Sequence, residues 1–99
     1  KITEFSIKGN EERYAACART MKWALEKDSD AIACSKLIEN LFILNEDLKV
    51  PSPRNLGHSA DHGLLKLMAS QAMASGSPQN NPRVPTENQI IQLYKEVWG

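Results

Sequence analysis

The sequence predicts an all-α fold, a small bundle of about four helices joined by short connections. Three observations carry that reading. Apolar residues recur at three- and four-residue spacing in successive stretches, with Ser, Thr, Asn or Asp at their openings and Gly or Pro at their ends. No stretch alternates apolar and polar residues as a half-buried strand would, and no repeat of fixed period runs through the chain.

Lys1 to Ser6 opens with Ile2 and Phe5 at helical spacing. A single turn is costly to nucleate alone, so this end is expected to be frayed or held only by Phe5 in the core. Gly9-Asn10 closes the turn, and Asn10 is placed to cap a second helix whose first turn carries Glu11 and Glu12 against the positive end of the dipole. Tyr14, Cys17, Ala18, Met21 and Leu25 form the apolar stripe of that helix. Trp23 falls off the stripe and is expected half-buried against a neighbouring helix. Asp28-Ser29-Asp30 then supplies a break and a new cap.

From Ala31 to about Asp47, Cys34, Leu37, Ile38, Leu41, Leu44 and Leu48 repeat on one face, widened by Ile32, Phe42 and Ile43. This is expected to be the most buried helix. Pro51 and Pro53 end it, and the chain to Gly57 runs extended or as a short turn. A further helix is expected from Ser59 or Ala60 to about Ala74, with Leu64, Leu67, Met68, Ala72 and Ser75 on one side, Gly63 weakening its first turn, and Gly76 as its stop.

The closing stretch is the most informative. Pro78, Pro82 and Pro85 stiffen a loop, because each fixes its own backbone and pushes the preceding residue out of helical geometry. Thr86 and Gln89 have capping-box spacing, so a helix starts at Glu87, with Ile90, Ile91, Tyr94, Val97 and Trp98 as its core-facing stripe. Glu87 at the positive end of the dipole and Lys95 near the other each contribute about 0.3 to 1 kcal/mol.

The 99 residues, 41% of them hydrophobic, suit one small domain with a single core, spanning 1–99. Twelve basic and twelve acidic residues cancel without long runs of either sign. That balance argues against nucleic acid or an anionic membrane surface as a partner. No apolar run reaches the ~18 residues that span a bilayer, and no signal peptide opens the chain. Cys17 and Cys34 have neither zinc-site nor disulfide-framework spacing; both fall on apolar helix faces as expected core thiols, which fits a cytoplasmic setting.

Ala74-Ser75-Gly76-Ser77-Pro78, Asn80-Asn81-Pro82-Arg83, Pro85-Thr86, Ile90, Leu93-Tyr94 and Trp98 together resemble the carboxyl end of the iron-containing alcohol dehydrogenases, which commonly reads ASGSPxNNPRxPTxxxIxxLYxxxW. Upstream, Phe5, Gly9-Asn10, Arg13-Tyr14-Ala15, and Leu48 with Val50-Pro51-Ser52-Pro53-Arg54 to Leu56-Gly57 are similar to further stretches of that family. The resemblance implies the last part of the helical, metal-bearing domain of a dehydroquinate synthase-like fold. Lys1 to Ser6 would then be the last turn of a helix beginning upstream. It also implies a parent enzyme that uses Fe2+, or another divalent metal, and NAD(P) to move a hydride between an alcohol carbon and the nicotinamide. The family's iron ligands, one aspartate and three histidines, and its glycine-rich nucleotide loop lie ahead of the segment matching residue 1. This chain is thus expected to be inactive alone and to have the missing remainder of the enzyme as its partner. Family members also form dimers or larger assemblies, so a homo-oligomer is a further expectation.

The candidate sites are few. His58 and His62 are spaced to share a helix face if the helix includes His58, with Asp61 between them, but a metal site needs three or four protein ligands. They stand where the family has an acidic helix opening, a departure from its pattern. No residue is assigned a catalytic or cofactor-binding role, since no GxGxxG occurs and no Ser or Cys has a histidine in a catalytic context. Asn81, Pro82 and Arg83 are either a cleft or interdomain wall in a larger enzyme or a loop satisfying its own carbonyls. The competing class is a stand-alone helical interaction module, with Trp23, Trp98 or the Met-bearing faces as anchors. A third reading is a small metal-binding protein using His58 and His62.

Overall fold

The computed structural model describes residues 1–59 and 61–99. Five α-helices and one 3-10 turn follow one another: α1 (Ile2–Ile7), α2 (Glu11–Thr20), α3 (Asp30–Asp47), α4 (His62–Ala74), the 3-10 turn (Ser77–Asn80) and α5 (Glu87–Trp98). No strand occurs among the described residues. The all-helical expectation holds, with one helix more than the expected four because Ile2–Ile7 forms an element of its own. The chain divides into two compact units, Thr3–Val50 and Lys1–Ile2 with Pro51–Gly99.

In the Thr3–Val50 unit, α2 packs along α3 through small side chains: Ala15, Ala18, Ala24 and Ala33 are buried with Cys34 and Leu37. Alanines at the contact let the two backbones approach closely. Ile7, Tyr14, Trp23 and Leu41 close the edges of this core, so Trp23 is half-buried as its position off the stripe implies. At the first turn it is Ser6 that is fully buried, whereas Phe5, the expected anchor, is only half-buried.

The helix ends are set by hydrogen bonds that do not all follow the expected caps. Asn10 stands at the N-cap of α2 but its side chain makes no capping bond. It turns back instead, its Nδ2 donating to the Ser6 carbonyl at 3.0 Å and its amide to Ile7 at 2.8 Å. Ser29 caps α3 as expected, its Oγ accepting from the Ile32 amide at 3.2 Å. Both α2 and α3 end in Schellman motifs: after α2, the amides of Lys22 and Trp23 donate to Arg19 and Ala18, and after α3, those of Lys49 and Val50 donate to Glu46 and Asn45. Lys22 (φ 61°) and Lys49 (φ 55°) occupy the left-handed position usually held by glycine. The α3 helix is therefore stopped at Lys49, before either proline.

Between α2 and α3, Arg19 clamps the loop, its Nη2 donating to the Asp28 carbonyl at 2.6 Å and lying 3.1 Å from Asp30 Oδ1. Asp28 Oδ2 in turn accepts from the Leu25 amide at 2.9 Å and from Lys36 Nζ at 2.7 Å. These bonds hold the backbone beyond Trp23 and Ala24, from Leu25, whose side chain is exposed, to the start of α3.

Two expectations for this unit are corrected. The buried residues of α3, Ala33, Cys34 and Leu37, all lie in its first half, where Ile32 falls off the packed face and is exposed; beyond them Phe42, Ile43, Leu44 and Leu48 are exposed as well. The reason is length: at 1.5 Å per residue the ten-residue α2 covers about 15 Å of an α3 that runs for about 27 Å. The stripe of α2 is likewise rotated toward Ala15 and Ala18, which leaves Met21 and Cys17 exposed; Cys17 is not a core thiol.

In the other unit, α4 packs on α5 around Leu65, Ala69, Ile90, Ile91 and Trp98, with Met68, Ala72, Met73 and Tyr94 against them. Leu65, Met68, Ala69, Ala72 and Met73 follow i, i+3, i+4, i+7, i+8 spacing, which defines the packed face of α4. Of the expected face, Met68 and Ala72 pack against the core, whereas Leu64 and Leu67 are exposed, as is Ser75, because the face turns toward Leu65 and Ala69. The helix begins at His62 rather than Ser59, because Asp61 is the N-cap, its side chain accepting from the Gly63 amide at 3.3 Å. The alternative start at Ala60 lies outside the described residues. Gly76, at φ 80°, ends α4 in the left-handed conformation as expected. Ahead of α4 in the same unit, 53–57 forms a closed turn, with the amides of Gly57 and His58 donating to the carbonyls of Arg54 and Pro53.

Candidate functional site

One depression lies within the unit containing α4 and α5. It is created by the proline-bearing loop and the start of α5, so the local chemistry of that start decides its shape. Thr86 Oγ1 accepts from the Gln89 amide at 3.3 Å, and Gln89 Oε1 accepts from the Thr86 amide at 2.9 Å. This complete capping box fixes the first turn of α5 at Glu87, where the sequence placed it. Pro85, immediately ahead of the cap, is then buried.

A groove of about 490 Å³ opens between this loop and α5. Ile90, Leu93, Tyr94 and Val97 line it from α5, Ala72 and Ser75 from the end of α4, and Pro78, Asn81 and Pro85 from the loop. Lys1 and Ile2 close it at one side. Two of its polar side chains are turned onto nearby backbone: Ser75 Oγ donates to the Ala72 carbonyl at 2.6 Å, and Asn81 Nδ2 donates to the Arg83 carbonyl; Lys1, Ser77 and Tyr94 also line it. Of the three loop residues expected to form a cleft wall, only Asn81 is among those lining this groove; Pro82 is exposed and Arg83 half-buried. The groove side of α5 was legible in part, since Ile90, Tyr94 and Val97 were on the expected stripe, but Val97, expected to face the core, is exposed. Leu93, which widens it, was quoted only as part of a motif.

A second hollow, of about 380 Å³, is lined by Arg54, His62, Leu65, Lys95 and Trp98. Of the expected histidine pair it contains His62 alone. His58 lies in the loop ahead of the Asp61 cap, so the two histidines do not share a helix face. What anchors His58 is its backbone, whose carbonyl accepts from Trp98 Nε1 at 3.0 Å. Among the described residues no group of three or more His, Cys, Asp or Glu side chains is gathered as a metal would require.

The cysteines do not form a nucleophilic site. Cys34 is buried, its Sγ donating to the Glu11 carbonyl at 3.3 Å. Burial pushes its thiol above the ordinary cysteine range, with the Asp30 carboxylate adding to the shift, and that favours the protonated form. Cys17 is exposed on α2.

The geometry thus presents packed helices and a mostly apolar groove. The chain is similar to lactaldehyde reductase. Over 91 residues it is 31% identical to lactaldehyde reductase of Escherichia coli strain K12, a match covering 88% of this chain and 22% of the reductase. The lactaldehyde reductase of Escherichia coli O157:H7 matches with the same figures. The chain therefore spans about a fifth of the length of the reductases it matches. No family model matches the chain, and no solved structure does. The likeness to the reductase is in keeping with the dehydrogenase resemblance of the loop and α5. No helix of the described residues is long and apolar enough to cross a membrane.

Proposed function

We propose that this chain is the carboxyl-terminal helical segment of an NAD(P)-dependent, iron-containing alcohol dehydrogenase, acting on an alcohol–aldehyde pair in a cytoplasmic setting, and that its part in the enzyme is structural. The observation that carries this reading is the 31% identity to lactaldehyde reductase over 91 residues. The proline-bearing loop and the capping box of α5 add to it as the most specific stretch of the resemblance. The missing remainder of the enzyme is the partner, and a homo-oligomer is compatible with the exposed apolar residues of α3.

Fe2+ and NAD(P) belong to the parent enzyme in this reading. The described residues do not fit the metal: His62 opens α4, His58 lies outside it, and no third donor joins them. In this reading the metal and its chemistry lie in the rest of the enzyme. The helices of this chain support the ligand-bearing part of the domain by packing.

The competing reading, a stand-alone interaction module, loses its aromatic anchors. Trp98 is buried in the core between α4 and α5, and Trp23 packs against the core between α2 and α3. Met68 and Met73 are likewise taken up by packing, and Met21 alone of the methionines is exposed.

The test is direct. The purified 99-residue chain, given NAD+, Fe2+ and a panel of short alcohols, is expected to produce no reduced nicotinamide, while the product of the full reading frame does. Turnover by the chain alone would overturn the structural role. A reading frame without a glycine-rich nucleotide loop and a histidine cluster ahead of Lys1 would overturn the enzyme assignment.

A further inference from the structure

The groove beside α5 is apolar in a way that selects its occupant. Its floor is already buried: Ile90 is 7% exposed and Pro85 is buried, while Ile2 and Val97 at the rim are 52% and 42% exposed. A small polar substrate or a dinucleotide is recognised through polar groups aimed into its pocket. Here the Ser75 hydroxyl is spent on the Ala72 carbonyl and Asn81 Nδ2 on the Arg83 carbonyl, Pro78 and Pro85 have no amide proton to offer, and although Lys1, Ser77 and Tyr94 also line the groove, Ile2, Ala72, Ile90, Leu93 and Val97 make most of its wall apolar. What the groove presents is surface for apolar side chains.

Lys1 and Ile2 identify which side chains. Both line the groove, and they belong to the same compact unit as α4 and α5. Any residue joined to Lys1 has its Cα about 3.8 Å from that of Lys1, so a polypeptide leading into Lys1 has its nearest residue beside this groove. We propose that the groove is the seat of the segment immediately preceding Lys1 in the parent enzyme, whose apolar side chains lie against Leu93, Tyr94 and Val97. The inference rests on the reading above that the polypeptide continues ahead of Lys1, as the 22% coverage of the reductases supports. It adds to that reading a specific contact: α5 and the proline-bearing loop form the clamp that receives the incoming chain.

Disulfide trapping in the full-length enzyme tests it. Val97→Cys is combined in turn with a cysteine at each of the four residues ahead of Lys1, and Gln92→Cys, on an exposed part of α5, serves as the control with the same partners. A disulfide forms only when the two Cβ atoms come within about 3.5 to 4.5 Å. The expected result is that at least one pairing with position 97 cross-links most of the protein on mild oxidation, and that no pairing with position 92 does so. Cross-linking at 97 no greater than at 92 would overturn the inference, as would a link at 97 found only between two copies, which would mark the groove as a dimer contact. Nicotinamide-dependent turnover of the unmodified full-length enzyme is measured alongside. With turnover present and no link, the seat is wrong while the enzyme reading stands; with neither nucleotide motif nor turnover, both fall.

Discussion

Trp98 Nε1 donates to the carbonyl oxygen of His58 at 3.0 Å, tying the last turn of α5 to the loop that leads into α4, across forty positions of sequence. The indole is also packed edge-on to Tyr94, with ring centroids 6.5 Å apart and planes at 74°. One side chain thus supplies both core volume and the bond that anchors a loop.

Trp98→Phe keeps the ring but removes the donor. The His58 carbonyl, partly buried, loses its partner, at an expected cost of about 1 to 2 kcal/mol. Trp98→Ala removes the core volume as well and is expected to cost about 3 to 5 kcal/mol. Urea unfolding of the two variants checks the order; equal midpoints for Trp98→Phe and the parent chain would mean that the bond contributes nothing.

Thr86→Ala breaks the capping box at the start of α5. The expected loss is about 1 kcal/mol, within the range for N-cap hydroxyls. Amide hydrogen exchange should quicken in the first turn of α5, with α2 and α3 unaffected. Uniform quickening throughout the chain would contradict a local role for the cap.

Lys22→Gly and Lys49→Gly are expected to stabilise the protein. A non-glycine residue at φ near +60° carries about 1 to 2 kcal/mol of steric cost, and glycine's larger unfolded-state entropy returns part of it. The net gain should be on the order of 0.5 to 1 kcal/mol for each, read as a higher urea midpoint. Lys22→Ala, which keeps a Cβ, should give no such gain.

Asp28 makes the stability depend on pH at the acid end. The hydrogen bond from Lys36, and then that from the Leu25 amide, hold its carboxyl below the ordinary value of 3.8. The folded state therefore binds this proton less readily than the unfolded chain. The stabilising contribution is whole above 3.8 and is lost as the pH falls through the lower folded value. Asp28→Asn is expected to be less stable than the parent at neutral pH, with the difference shrinking below pH 3.8. A difference that persisted unchanged into strong acid would assign the effect to shape rather than charge.

Local chemistry was legible where the residues that decide a feature are close in sequence. The capping box of Thr86 and Gln89, the Ser29 cap and the stop at Gly76 involve partners no more than a few positions apart, and each stands where the sequence put it. Asn10 was misread although its position was right, because the Ser6 carbonyl behind it competes for the same side chain. The loop clamp of Arg19 was not legible at all, since its acceptors at Asp28 and Asp30 lie nine and eleven residues on, across a change of direction.

The candidate site divides the same way. Asn81 was named from its loop, whereas the groove it lines depends on α4, α5 and the start of the chain together. The histidine spacing suggested one helix face, and Asp61, by capping α4 at its own position, separated the pair.

By itself the sequence determined the helical class, the start of α5, the stiff proline-bearing loop and the likeness to a dehydrogenase, because periodicity, capping and motif are written in neighbouring residues. Only the tertiary structure decided which face each helix buries. Apolar stripes on α3 and α4 are wide enough to be read in more than one rotation, and the choice falls to the length and side-chain size of the partner helix: a ten-residue α2 covers half of α3, and α5 selects Leu65 and Ala69 over Leu64 and Leu67.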